Sequence, residues 1–231
     1  MAPDSIVWLA ERSGALLLIA ALGTGIGTLF SRSHAWRATA ASILVGLSLV
    51  PVGRVSGLTF LYSVVGPLSL ATIVGCAVYI GSQLRLIPAP ARHNLLFAAV
   101  VVAVLGLVLY PASMGLLRWE PYRMGFHGIW LPAALIVIAA AAAAMRSIIV
   151  PLWIAASAAA WQSSLFDSTN LWDYVIDPVV WIASLVFLAV AAVRRIKHRS
   201  RAGARRPIPT KGTSYFGNAP SATSSALMRR A

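Results

Sequence analysis

Residues 162–201 read QSSLFDSTNLWDYVIDPVVWIASLVFLAVAAVRRIKHRSR, and their order decides the fold. A loop holding Asp167, Asp173 and Asp177 gives way to an apolar run over 178–193. That run stops at Arg194, where a basic tail begins. Ten of the 19 Lys and Arg residues lie between Arg194 and Arg230, whereas three of the six acids sit in the loop before the run. The chain is 59% hydrophobic with a mean hydropathy of +0.80. In such a chain the split reads as membrane topology, because basic segments stay on the cytoplasmic side and acidic loops can cross.

Working outward, six further apolar runs fall at 13–30, 36–52, 57–82, 94–117, 128–145 and 147–161. A bilayer-spanning helix needs about 20 such residues. The expected fold is therefore all-α, a polytopic integral membrane bundle of about seven transmembrane helices. Five or six are the alternatives, because 36–52 and 147–161 are short and only Arg146 separates 128–145 from the run after it. Seven alternating spans leave 15 basic residues and no acid on one side, and four basic residues with all six acids on the other. The N-terminus is thus expected outside and the C-terminus inside. Residues 1–194 are expected to form the helical transmembrane domain, and 195–231 a basic cytoplasmic tail too polar to bury a core and expected to be disordered beyond a short helical extension.

Aromatic residues fit the same picture. Trp119, Tyr122, Trp130, Trp161, Trp172, Tyr174 and Trp181 are expected at the outer membrane boundary, where amphipathic rings are favoured, together with Trp8. Gly23 and Gly27 form a small-residue pair suited to close helix packing. Asp4 is the first charge and no basic segment precedes the first apolar run, so a cleavable signal peptide is not expected.

Several function classes lose their residues. Both lysines, Lys197 and Lys211, lie in the tail, so a Schiff base within the bundle has no donor. His34, His93, His127 and His198 fall at span ends or in loops, which removes facing haem ligands. Cys76 is the only cysteine and reads as a small core residue. No zinc-binding helix pattern, serine elbow or nucleotide-binding glycine loop occurs. No cofactor is implied.

The remaining chemistry lies in two loops expected outside, 118–127 and 167–177. The first offers Arg118 and Arg123, able to hold a lipid phosphate bidentately. It also offers Glu120 and His127 as candidate proton-transfer groups. In the second, Asp173 and Asp177 are four residues apart; on a helix they would share a face and could hold a divalent cation. The plainer reading has Asp167 capping a short helix, Asp177 capping the last one with Pro178 at its first position, and the arginines bridging the loops.

The functional expectation is a non-catalytic accessory or scaffolding subunit of a cell-envelope system. The alternative is an enzyme or carrier for a phosphorylated lipid at the outer leaflet, using those two loops. Arginine outnumbers lysine 17 to 2 amid heavy alanine usage, which suggests a GC-rich bacterium and hence a multi-pass protein of the bacterial inner (cytoplasmic) membrane. Expected partners are the lipid bilayer, anionic lipid head groups at the tail, and another membrane protein. A basic tail with no folded reading surface gives no reason to expect nucleic acid.

Overall fold

Helix breakers decide where the chain turns. The computed structural model describes the backbone of residues 3–126 and 128–204, and the side chains of 11–126 and 128–197. Contacts divide the chain into two units, Met1–Ala192 and Val193–Ala231. The helices of the first unit are α1 (Pro3–Phe30), α2 (His34–Leu49), α3 (Gly57–Val65), α4 (Leu70–Gln83), α5 (Arg92–Ser113), α6 (Trp130–Ala144), α7 (Ile149–Gln162), α8 (Leu171–Val175) and α9 (Pro178–Ala204), the last of which runs on into the second unit. A 3₁₀ turn spans Pro121–Gly125. The only strands among the described residues are β1 (Pro51–Val52) and β2 (Val55–Ser56), a small antiparallel hairpin. Gly53 supplies the positive φ that its two-residue turn requires.

Three stretches, Glu11–Phe30, Arg92–Ser113 and Pro178–Lys197, are long and apolar enough to cross a membrane. They mark a membrane protein. Helices α4, α6 and α7 are apolar but shorter. The tail expected from residue 195 is helical as far as Ala204. The expectation of disorder beyond that point, the position of Lys211 and the side chains of Trp8 and His198 lie outside the described residues.

The run 57–82, expected as one span, is two helices. Gly66 ends α3 with φ +73° and Pro67 cannot continue it. Leu58 packs on Ala15 and Ile19 of α1, and Tyr62 reaches Glu11. Leu68 and Ile73 lie beside Gly14, and Tyr79 beside Gly25. So α3 runs toward the Glu11 end of α1, while α4 runs away from it. Apolar continuity hid this reversal, because both arms are equally hydrophobic.

Close packing elsewhere follows from missing side chains. A Cβ on Gly23 would stand 2.7 Å from the Ala41 Cα, and one on Gly27 would stand 2.9 Å from the Arg37 Cα. The small-residue pair is therefore the α1–α2 seam. Gly106 similarly lets Trp181 of α9 lie against α5, where its ring packs 4.7 Å from that of Tyr110. Between α6 and α7 the chain turns through Arg146 at φ +57°, with the Ser147 N–H donating to the Ala142 carbonyl at 2.9 Å. That bond pattern closes a helix C-terminus.

Candidate functional site

The loop after α7 folds back along it. Trp161 donates its indole N–H to the Thr169 carbonyl at 2.9 Å, the Ser157 hydroxyl donates to the Tyr174 carbonyl at 3.0 Å, and Trp153 donates to the Val175 carbonyl at 2.8 Å. Contacts thus progress down α7 as the loop advances. Residues 170–172 and 174–177 are buried. Irregular backbone is tolerated inside a membrane protein when other protein groups satisfy it, and here they do. The Tyr174 hydroxyl donates toward the Phe166 and Ser168 carbonyls and accepts from the Phe166 N–H.

Against this loop sits the 3₁₀ turn. Trp172 donates to the Pro121 carbonyl at 2.9 Å, and the Asn170 amide donates to the Tyr122 carbonyl at 3.0 Å. Gly125 is needed there, since a Cβ would lie 1.7 Å from Asn170 Oδ1. Asn170, rather than the expected Asp167, caps α8 by accepting from the Trp172 N–H at 3.0 Å. The Asp167 N–H instead faces Glu11 Oε1 at 3.5 Å. Trp172 and Tyr174, expected as boundary aromatics, are core residues at 3% and 0% exposure.

Asp173 and Asp177 do not share a helix face. Helix α8 ends at Val175, and Ile176 is extended at φ −148°, ψ 145°. Asp173 is half-buried and accepts from the Tyr122 hydroxyl at 3.1 Å and from Ser168. Burial and then the neighbouring Asp173 carboxylate push the Tyr122 phenol above its ordinary value.

Asp177 is 5% exposed and ties two helix starts together. Its Oδ1 accepts from the Val180 N–H at 2.9 Å, capping α9. Its Oδ2 accepts from the Ser69 N–H at 2.8 Å, the Ser69 hydroxyl at 2.7 Å and the Thr72 hydroxyl at 2.5 Å. One carboxylate thus faces the positive dipole ends of both α4 and α9. Ser69 and Thr72 escaped the sequence reading because they lay inside a run taken as one helix. The signal was present: a serine just after Gly66-Pro67 is a helix-start pattern.

The other candidates are scattered over the surface. Glu120 pairs with Arg123 at 3.7 Å, with side chains 66% and 81% exposed. Arg118 is exposed, and among the described residues neither arginine bridges to Asp167 or Asp173 as expected. His127 lies outside the described residues. No group of three His, Cys, Asp or Glu side chains converges among those described. A shallow cavity of about 340 Å³ is lined by Ser113, Glu120, Tyr122 and Arg123.

No known family, characterised protein or solved structure is detectably similar to this chain.

Proposed function

We propose that this protein is a non-catalytic subunit of a bacterial inner-membrane, cell-envelope system, crossing the bilayer seven times with its N-terminus outside. The observation that carries the reading is Asp177. The one deeply buried acid among the described residues already accepts four hydrogen bonds, three on Oδ2 and one on Oδ1. A cation bound there would compete with two helix starts for the carboxylate. Exposed apolar faces support a partner-binding role. Helix α2 buries no residue, and only 6% of the apolar window of α9 is buried, leaving Ile182, Val186 and Val190 outward. A helix from another membrane protein, or lipid, covers such faces.

The second reading, a site for a phosphorylated lipid at the outer leaflet, has the Glu120–Tyr122–Arg123 cavity in its favour. Complementation of a deletion strain separates the two. The subunit reading expects Glu120→Gln, Arg118→Gln and Asp173→Asn to restore the wild-type phenotype. Loss of complementation by these variants at normal membrane levels would establish the second reading.

A further inference from the structure

A second, larger cavity of about 630 Å³ opens between α4, α5, α7 and α9. Its lining on α4 runs from Ala71 to Gln83. Twelve residues of helix rise about 18 Å. Half of a hydrocarbon core about 30 Å thick is about 15 Å, so the cleft is as deep as one leaflet. Its length matches the part of an acyl chain that lies in one leaflet.

The two ends of the cleft differ in chemistry. At the deep end Trp153 is 2% exposed and its N–H is already donated to Val175. Apart from Ser184, the walls there are apolar. At the other end lie Ser82, Gln83 and Pro90. Arg37 donates to the Gln83 side chain at 3.0 Å and to its carbonyl at 3.2 Å, and His34 Nδ1 is 3.0 Å from the same carbonyl. The Arg37 Nε is buried without a hydrogen-bond partner. The connection from α4 to α5 adds Arg85 and Arg92, both exposed. No acid occurs between Arg12 and Trp119, and none of these three arginines has a carboxylate within ion-pair distance among the described residues. Guanidinium groups without a carboxylate partner, one bonded to Gln83 and two on the segment that carries Ala89 and Pro90, beside an apolar cleft call for an anion attached to a hydrocarbon tail.

We infer that the cleft binds one anionic phospholipid from the leaflet facing residues 84–91. One acyl chain lies along α4, and the phosphate sits among Arg37, Arg85 and Arg92. The test is native mass spectrometry of the full-length protein, delipidated in mild detergent and titrated with dioleoyl phosphatidylglycerol or dioleoyl phosphatidylcholine. One phosphatidylglycerol should be retained at least about tenfold more tightly than phosphatidylcholine. Arg85→Gln, on an exposed side chain, should weaken phosphatidylglycerol by about fivefold and leave phosphatidylcholine unchanged. Ala98→Trp, which fills the cleft, should abolish the discrete adduct for both lipids. If its helix content differs from wild type, Ala183→Phe on the facing wall replaces it. Equal retention of the two lipids overturns the inference. So does a phosphatidylglycerol adduct that survives cleft filling, since the head group would then be held without the chain.

Discussion

The acidic end and the basic end of this bundle treat their charged groups in opposite ways. The side chains of Asp177, Asn170 and Trp172 meet partners within the chain and their backbone is buried, although the nearby Tyr110 hydroxyl is buried without one. Around Gln83 a buried arginine nitrogen has no partner and an apolar channel stands open. Of the acids that stood out in the sequence, Asp177 is consumed as a helix cap and Asp173 as the acceptor for Tyr122 and Ser168. The arginines that looked like ordinary topology markers include Arg37, which is bonded to Gln83 in the wall of an open apolar cleft. A polar cluster signals binding only where its hydrogen-bonding capacity is unspent.

Breaking the acidic end should have the largest effect. Asp177→Ala leaves four donors without their acceptor, three of them in the buried start of α4. Thermal unfolding in detergent should show a loss of about 3 kcal/mol or more. A variant that unfolds like wild type but loses function would instead make Asp177 a working group. Gly125→Ala forces the 3₁₀ turn away from Asn170 and should cost about 1–3 kcal/mol. The same measurement checks it, and protease sensitivity should rise within 118–127.

Gly23→Val probes the other side of the bundle by driving a branched side chain into the Ala41 backbone. A destabilisation of about 1–3 kcal/mol is expected, with lipid retention at the cleft preserved. If that retention also fails, the two ends are mechanically coupled and the contrast drawn here is too sharp.

The smallest effect concerns pH. The Tyr122 phenol is raised above its unfolded value of about 10 by burial and by Asp173. A raised folded pKa means that the neutral phenol's contribution is complete below about pH 10 and is lost as pH climbs through the folded value. Unfolding at pH 7 and pH 9 should therefore give the same Tyr122→Phe difference, about 0.5 kcal/mol, shrinking only above pH 10.

Much of this was legible in the residues. The apolar runs located most of the helices because a membrane-crossing helix needs little beyond length and hydrophobicity. Gly23 and Gly27 announced a close seam, and Asp177-Pro178 announced a helix start. What escaped was long-range. Nothing local says that Ser69 and Thr72 will meet a carboxylate more than a hundred residues away, or that Trp172 will be buried within the chain. The reversal between α3 and α4 was hidden because hydropathy carries no direction. The spacing of Asp173 and Asp177 misled because helical periodicity was assumed across Ile176, where the backbone is extended.

The central claim, that this chain works as a subunit and not as an enzyme, is tested most directly by native mass spectrometry of the protein released gently from its own membranes. A subunit should appear in a defined larger assembly containing a second membrane protein, one that persists when Asp173 is replaced by Asn. A lone monomer that turns over a phosphorylated lipid, and stops doing so in that variant, would contradict it.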